Sequence, residues 1–422
     1  MNMTASSAHD PSAGFSGCGP LLSSVEDAAK PTRLRILEAV RATGHASRAE
    51  VAKSLQISPG TVTSVTAELI SAGLLEEFER PYLNSGRGRP PVALRLVSDS
   101  HHVVGMKLSD VSHSAVVCDF AGEVRAEASI PRGQSSDGTA QSLLEEAVAL
   151  FDLVTEAAGL RRSDISALGL GLPGLVDYTT GHVQWSPILT EGPVPLGPDL
   201  AARLGLPVTL DNDANLVTLA ELWFGAGRAK SDFAVVTIEH GVGMGLVLGN
   251  SLFRGAMGLG MELGHTKVQL DGALCRCGQR GCLEAYVADY ALVREASTAM
   301  QGPLINAAEG VVLGSLYDQA KAGNEAARSI FRRAGRFLAL GLANVAHLFD
   351  PNLIILSGER MRYDLLYTEE VLAEMRMMSR NTRGRPPVVE VHAWGDKVWA
   401  RGAAALALTD LTETVVRMEA SA

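Results

Sequence analysis

The spacing of apolar residues changes once along this 422-residue chain, close to residue 100. Before that point, short segments repeat apolar residues every three or four positions, which is typical of helices. After it, runs of β-branched residues that predict strands alternate with longer helical segments. The two patterns predict two units, namely a small helical unit at residues 28–97 and a larger α/β body. The composition of residues 1–27 predicts a disordered tail.

Three short helices are predicted in the small unit. The first begins at Pro31 and ends before Gly44, and residues 47–50 (Ser-Arg-Ala-Glu) form a capping box for the second. Ser58 caps the third helix, and Pro59 takes its first position, where the missing N–H costs nothing. Only a tight turn separates the second and third helices. The sequence therefore predicts a helix-turn-helix.

Two strands, at 74–78 and 92–96, follow the third helix and predict the wing of a winged helix. The loop between them contains Gly86-Arg87-Gly88-Arg89-Pro90, which resembles the minor-groove-binding core of an AT-hook. Small polar residues on the third helix suit contacts with base edges and thymine methyl groups. The candidate DNA contacts are Ser58, Pro59, Gly60, Thr61, Thr63, Ser64, Arg87, Gly88 and Arg89.

The charge of the chain is divided unevenly between the two units. The net charge is −10, yet Ala28–Arg95 holds ten Lys and Arg against six Glu, so the rest of the chain sums to −14. This distribution favours a module that approaches double-stranded DNA while the acidic body stays away from it. A small protein-interaction module is the alternative, because the third helix contains no Lys or Arg.

Three of the five cysteines fall within eight positions, and a histidine precedes them. His265, Cys275, Cys277 and Cys282 offer one imidazole and three thiolates, which is a tetrahedral zinc set with no open position. We therefore expect a structural Zn²⁺ in a reducing, cytoplasmic setting. The alternative is a group of free buried thiols.

The body contains two successive sets of strands and helices, which predict two lobes with a cleft between them. The expected bounds are residues 101–213 with about 396–422 for the first lobe, and 214–395 for the second. No apolar run reaches the ~20 residues that span a bilayer, and the N-terminus is not typical of a secretory signal.

Several motifs of the body resemble the ROK family, which groups bacterial sugar kinases with repressors that carry an N-terminal helix-turn-helix. They are Gly171-Leu172-Pro173-Gly174, Asp211-Asn212-Asp213-Ala214-Asn215, the stretch from Val236 to His265 and the cysteine run. The resemblance covers roughly residues 30 to 410. It implies a winged helix followed by a two-lobed, actin-like and ribonuclease H-like sugar-kinase body.

The resemblance also implies a set of sugar-contacting residues, which are Asn212, Asp213, Glu262, His265 and Glu284. His265 is then expected to bind zinc through one ring nitrogen and a sugar hydroxyl through the other. Asp213 matches the catalytic base of the kinases, although a helix N-cap is its alternative role. Ile188 stands where the kinases usually have an Asn.

The turns that match the family's ATP contacts depart from the kinase pattern. Lys107-Leu108-Ser109-Asp110-Val111 replaces an Asp-x-Gly-Gly-Thr type of turn, so side chains stand where phosphate meets the backbone. Glu239-His240-Gly241 and Ser357-Gly358-Glu359 replace the other two glycine-rich turns. We therefore expect no catalytic residues and no kinase activity.

The sequence thus predicts a DNA-binding regulator, a repressor of sugar-related genes, with a sugar or sugar derivative as effector. A homodimer or homotetramer would place paired winged helices on a palindromic operator. Two alternatives stay open at this point. One is a sugar kinase with an appended DNA-binding domain, and the other is a regulator controlled by a protein partner.

Overall fold

The computed structural model describes residues 17–22, 29–79, 92–133, 137–256, 258, 260–299, 308–358, 361, 363–379, 386–393, 395 and 397–419. The small unit contains three helices and one antiparallel pair of strands. Their bounds are Thr32–Thr43 (α1), Arg48–Leu55 (α2), Pro59–Ser71 (α3), Leu75–Glu79 (β1) and Val92–Leu96 (β2). The predicted winged helix-turn-helix is confirmed.

Local signals account for the ends of α2 and α3. Ser47 Oγ accepts the N–H of Glu50 at 3.2 Å, and Glu50 Oε2 accepts the N–H of Ser47 at 2.6 Å, which completes the predicted capping box. Ser58 Oγ accepts the N–H of Thr61 at 3.1 Å. Gln56 ends α2 with a left-handed φ of 56°, and this produces the tight turn.

The first lobe of the body is built on a mixed five-stranded sheet. Its strands are His102–Lys107 (β3), Ser112–Asp119 (β4), Val124–Pro131 (β5), Ile165–Leu172 (β6) and Val208–Asn212 (β9), in the order β5-β4-β3-β6-β9. β3 to β5 form an antiparallel meander, and β6 and β9 continue parallel to β3. The other elements of this lobe are Ala140–Ala157 (α4), Leu175–Asp177 (β7), His182–Trp185 (β8) and Leu196–Leu204 (α5).

The second lobe repeats that connection. Its strands are Phe233–Ile238 (β10), Val242–Leu248 (β11), Ser251–Phe253 (β12), Leu353–Ser357 (β13) and Val388–His392 (β14), in the order β12-β11-β10-β13-β14. Again three antiparallel strands are followed by two parallel ones. Its helices are Glu284–Val287 (α7), Asp289–Ala299 (α8), Glu309–Lys321 (α9), Glu325–Phe349 (α10) and Glu369–Met378 (α11). The prediction of two similar lobes is confirmed.

Two further helices, Asp213–Phe224 (α6) and Val398–Glu419 (α12), join the lobes. α12 packs on β3, β6 and α6, while α6 also packs on β10 and β11 of the second lobe. A Cβ on Gly105 or Gly169 would lie about 2 Å from a carbonyl oxygen of α12, so glycine is required for this close approach. No helix in the described ranges is both long and apolar enough to cross a membrane.

The expectation of a disordered tail over residues 1–27 is wrong for residues 17–22. Cys18 is only 4% exposed, and its thiol donates to Ala121 O at 3.0 Å. The N–H of Gly19 donates to Trp223 O at 2.8 Å. Composition missed this segment because all of its partners lie far away in the sequence.

Candidate ligand cleft and metal centre

The four predicted metal ligands come together in the second lobe. One ligand atom from each of His265, Cys275, Cys277 and Cys282 lies within 4.8 Å of all the others. Cys275 Sγ is 3.7 Å from His265 Nδ1, and Cys277 Sγ is 3.7 Å from Cys282 Sγ. Thiolates around one tetrahedral zinc ion are about 3.8 Å apart. The cluster therefore has the donor atoms and the size that a metal ion requires.

Tight turns bring the cysteines together. The N–H of Cys275 donates to Gln279 O at 2.8 Å, and Leu274 bridges Arg280 across the same turn. Gly281 has a φ of +76°, and a Cβ there would lie 1.7 Å from Gln269 O. The glycines of this segment are thus a condition for the convergence of the thiols.

The cluster adjoins three residues that the family resemblance assigns to the ligand. His265 turns Nδ1 toward Cys275 and Nε2 toward Glu262, whose Oε2 lies 3.9 Å away. Glu284, which is 9% exposed, starts α7. One of its oxygens is 3.5 Å from Cys275 Sγ, and the other accepts the N–H of Val242 at 3.3 Å. Both carboxylates are therefore positioned by the loop that carries the thiols.

Asn212 and Asp213 lie at the junction of β9 and α6. Asn212 Oδ1 accepts the N–H of Ala214 at 2.8 Å, and Asn212 Nδ2 donates to Gly174 O at 2.7 Å. Asn212 is therefore the N-cap of α6, and the alternative role of N-cap for Asp213 is wrong. Burial raises the pKa of Asp213, and the nearby charge of Lys107 opposes that effect.

Four of the five residues of this ligand side are coupled electrostatically. Burial raises the pKa of Glu262, the charge of His265 lowers it, and Asp213 and Glu284 raise it further. Asn212 directly precedes Asp213 at the start of α6. Carboxylates, an amide and an imidazole near one another suit a polyol, because these groups accept from and donate to hydroxyls.

On the phosphate side, the first turn satisfies its own backbone. Ser109 Oγ donates to Ser112 O at 2.6 Å and accepts the N–H groups of Ser112 and Val111 at 3.2 and 3.4 Å. The N–H of Ser109 donates to Nδ1 of the fully buried His113, whose Nε2 is 2.8 Å from Glu146 Oε2. Burial lowers the pKa of His113, so its neutral ring serves as the acceptor. The N–H groups of Ser109, Val111 and Ser112 thus all have acceptors within this part of the structure.

The second turn of the phosphate side is surrounded by carboxylates. The His240 ring lies 3.4 Å from Asp289, 3.7 Å from Glu309 and 3.7 Å from Asp110 of the other lobe. Lys107, the nearest cation on β3, holds its ammonium 3.5 Å from the centre of the Trp399 ring. Three carboxylates therefore lie close to the His240 ring, and one of them, Glu309, also pairs with Arg276.

Two further positions differ from the kinase pattern, Ser357 and Ile188, and neither side chain has a polar partner among the described residues. The Ser357 hydroxyl is buried and has no hydrogen-bond partner among the described residues. Ile188 is 2% exposed and belongs to the core of the first lobe, so it offers no polar group to a ligand. Glu359, the last residue of the third predicted turn, lies outside the described residues.

Sequence reasoning missed a residue that links the lobes beside Asn212. Arg254, which follows β12, bonds Asp211 Oδ2 through Nε and Nη2, each at 2.8 Å. Its guanidinium lies 4.0 Å from the centre of the Tyr178 ring, and Tyr178 donates to Asp410 on α12 at 3.2 Å. Nothing in the local pattern around Arg254 distinguishes it from a surface arginine. Its role follows only from the meeting of the two lobes.

The predicted DNA-contacting residues of α3 are exposed, from Ser58 through Ser64 except for Val62. Ser58 and Thr61 share a side-chain hydrogen bond of 2.7 Å, and Thr63 donates to Pro59 O at 2.9 Å. The opposite face of the helix buries Val62, Thr66 and Leu69. Arg87, Gly88 and Arg89 of the predicted wing lie outside the described residues.

Comparison with known proteins agrees with this architecture. The sequence model of the ROK family matches residues 105–410, and that of a winged helix-turn-helix DNA-binding domain matches residues 30–76. The chain is 27% identical to the xylose repressor of Caldicellulosiruptor bescii over 90% of its own length and 96% of that protein. Both units therefore have counterparts in a single relative.

Two solved structures represent the two branches that the fold serves. A ROK family transcriptional regulator, a homologue of the Escherichia coli MLC protein, is 25% identical, has a TM-score of 0.73 and covers 92% of this chain and 97% of its own. A ROK family glucokinase from Streptomyces griseus, in complex with glucose and AMPPNP, is 30% identical with a TM-score of 0.62, over 73% of this chain and 99% of its own. Since the family model covers more than two thirds of the residues, the chain belongs to the ROK family.

Proposed function

We propose that this protein is a DNA-binding transcriptional regulator, a repressor of sugar-related genes whose affinity for DNA depends on a sugar or sugar derivative in the cleft. The observation that carries the proposal is a winged helix with an exposed α3 face joined to a ROK body whose phosphate turns are closed. The xylose repressor that spans 90% of the chain supports it.

The DNA-binding part of the proposal assigns base contacts to α3 and minor-groove contacts to the wing loop. The exposed residues 58–61, 63 and 64 would enter the major groove, and Arg87 and Arg89 would follow the adjacent minor groove. A homodimer or homotetramer would then present two such units to a palindromic operator. The winged-helix domain is taken as residues 28–97.

The effector part assigns Asn212, Asp213, Glu262, His265 and Glu284 to a sugar. The electrostatic coupling of Glu262 to His265, Asp213 and Glu284 supports it, because a polyol can supply hydrogen bonds to several such groups at once. The lobes are taken as residues 101–213 with about 396–422, and 214–395. A ligand that contacts both lobes would shift the equilibrium between cleft arrangements that it binds unequally.

Zinc is the proposed occupant of the cysteine cluster. His265, Cys275, Cys277 and Cys282 would complete its tetrahedral shell, which leaves no position for water or substrate. Its contribution would be to hold the loop between Glu262 and Glu284 in one conformation. His265 Nε2 would then remain directed toward Glu262 and the ligand.

Kinase activity is not part of the proposal. The closed turn at Ser109 and the carboxylates around His240 oppose the binding of ATP phosphates. A sugar kinase with an appended DNA-binding domain is the second candidate, and the retained Asp213 and the glucokinase neighbour favour it. Turnover of ATP with D-xylose or D-glucose would support that candidate, and no turnover would support the regulator.

Footprinting on the DNA upstream of the protein's own gene tests the DNA-binding part. Replacing Arg87 and Arg89 by Ala should weaken binding about 10- to 100-fold and reduce the slope of log K against log salt by about 2. Arg332→Ala with Arg336→Ala is the matched control, because these exposed arginines carry the same charge on α10, outside the winged-helix unit. No protected region at low salt would refute the proposal.

A further inference from the structure

The winged helix contacts the body through a buried joint, defined by residues 17–22, Arg41, Phe120, Trp223, Arg228 and Thr412. Arg41, at the end of α1, is 3% exposed and donates from Nη2 to Thr412 Oγ1 of α12 at 2.7 Å. Its guanidinium lies 4.8 Å from the centre of the Phe120 ring and 5.5 Å from that of Trp223. One side chain of the winged helix thus contacts α12, the β4–β5 turn and the end of α6.

The segment 17–22 closes the joint from the other side. The N–H of Cys18 donates to Arg41 O at 3.1 Å, and that of Leu21 donates to Arg228 O at 2.8 Å. Arg228 donates from Nε to Gly19 O at 2.9 Å and from Nη2 to Ala42 O, which caps the C-terminus of α1 with a cation from the body. A Cβ on Gly122 would lie 2.3 Å from Cys18 Sγ, so the fit is close.

The burial of Arg41 at this joint is energetically costly. The cation has lost its water, and its Nε has no hydrogen-bond partner among the described residues. The two carboxylates that attract it, Glu38 and Asp119, themselves pair with Lys30 and Arg125. Aromatic faces and one hydroxyl repay the desolvation of a guanidinium only in part. A buried contact of this kind strongly favours one orientation of the winged helix on the body, but it contributes little to the net free energy of docking. A modest bias can therefore shift the equilibrium between the docked and undocked states.

The helix α6 connects this joint to the ligand side of the cleft. Asn212 and Asp213 lie at its N-terminal end and Trp223 near its C-terminal end, about 15–17 Å apart at 1.5 Å per residue. Every residue of α6 from Ala214 to Phe224 is buried, so the helix moves as a rigid unit with its neighbours. A displacement at one end is thus transmitted to the other.

We propose that Arg41 is a positioning residue that docks the winged helix on the C-terminal end of α6, so that a ligand at Asn212 and Asp213 alters the orientation of the winged helix through this helix. The ligand and DNA parts of this inference rest on the proposed function. The joint itself does not depend on it.

The first test measures the opening of the joint by the reactivity of the Cys18 thiol. The full-length protein is treated with iodoacetamide, and the modification of the peptide with Cys18 is followed by mass spectrometry. Thr412→Val removes the acceptor of Arg41, and Thr409→Val is the matched control, since both hydroxyls donate to the carbonyl four residues earlier. We expect Thr412→Val and Arg41→Met to label at least tenfold faster than wild type and Thr409→Val to label within twofold of it. Equal rates in Thr412→Val and Thr409→Val would overturn the inference.

The second test measures the coupling between the ligand and DNA. The affinity for the upstream DNA is determined without sugar and with D-xylose or D-glucose, and the ratio of the two is compared between variants. We expect the ratio to fall toward one in Thr412→Val and to stay at the wild-type value in Thr409→Val. The same ratio in wild type and Thr412→Val would overturn the coupling. A wild-type protein that binds no DNA, or responds to neither sugar, counts against the proposed function, and the labelling rates then still decide on the joint.

Discussion

On the ligand side of the cleft, carboxylates are held in place by a cluster that lies outside the cleft, whereas on the phosphate side the polar groups bond one another. Glu262 and Glu284 flank the loop that carries the thiols. Glu262 lies near His265, and Glu284 lies near Cys275. Ser109 and His113, in contrast, use their donors and acceptors within one turn. The carboxylates of the ligand side thus lie beside the metal cluster, whereas the polar groups of the first turn on the phosphate side bond one another.

The difference comes from the type of residue that stands in the turn. A glycine turn exposes N–H groups to phosphate because it has no side chain that competes for them. A serine in the same turn supplies a hydroxyl that accepts those N–H groups locally. Ser109 therefore accepts, within its own turn, N–H groups that a glycine would leave without a local side-chain acceptor.

The largest expected effect is the loss of the proposed zinc ion from the cluster that adjoins the ligand side. Cys282→Ser should reduce bound zinc from one equivalent to none and destabilise the protein by several kcal/mol, because metal binding is linked to the folding of the loop. Metal analysis and thermal unfolding measure both quantities. Cys18→Ala, outside the cluster, should retain one zinc. A Cys282→Ser protein that kept its zinc would show that the cluster is not the site.

The next effect separates the two sides directly. Asp213→Asn should weaken the binding of a sugar effector about 10- to 100-fold, because a buried charge-assisted hydrogen bond contributes about 1.5–3 kcal/mol. Asp110→Asn on the phosphate side removes the same charge and should leave the sugar affinity unchanged. Titration calorimetry with the sugar that raises the melting temperature most compares the two. Equal losses in both variants would contradict the division of the cleft.

A smaller effect tests the closure of the phosphate side. Ser109→Ala should lower the free energy of unfolding by about 1–2 kcal/mol, since its half-buried hydroxyl accepts two N–H groups and donates to Ser112 O. Urea unfolding measures this value. Ser163→Ala, an exposed hydroxyl with one long contact to Asp164, should cost almost nothing. If the two variants were equally stable, the turn at Ser109 would not be held by its side chain.

The smallest expected effect is a pH dependence of stability. It comes from His392, which lies outside both the ligand side and the phosphate side. Burial lowers the pKa of His392, but hydrogen bonds and charges from Glu221 and then Glu390 outweigh it and raise the pKa above 6.5. The imidazolium therefore stabilises the fold fully below pH 6.5, and this contribution is lost as the pH rises through the raised pKa.

Urea unfolding between pH 6.5 and 9 measures that loss, and His392→Gln should flatten the curve in this range. The lowered pKa of His113 acts with the opposite sign, because stability then rises with pH until the unfolded ring has lost its proton, so the comparison with His392→Gln isolates the contribution of His392. A curve that was unchanged by His392→Gln would assign the pH dependence to another group.

The sequence alone predicted the winged helix and the two-lobed body, and its assignment of residues to the ligand side stays a prediction. Ser47, Ser58 and Gly44 act on backbone groups within four positions, so their effects can be derived from spacing. The metal cluster could also be predicted from the sequence, because its four ligands lie within 18 positions and few other structures require that pattern. Family motifs located Asn212 and Asp213, although the assignment of the N-cap needed the observed hydrogen bonds.

Only the tertiary structure decided the closure of the turn at Ser109, the link at Arg254 and the joint at Arg41. Arg41 and Thr412 are 371 positions apart, His113 and Glu146 are 33 apart, and Arg254 and Asp211 are 43 apart. In the sequence, each of these side chains resembles an ordinary polar residue. Its role follows only from its burial in the folded structure. Local propensity acts over a few residues, whereas burial and the pairing of charges depend on the whole packed core.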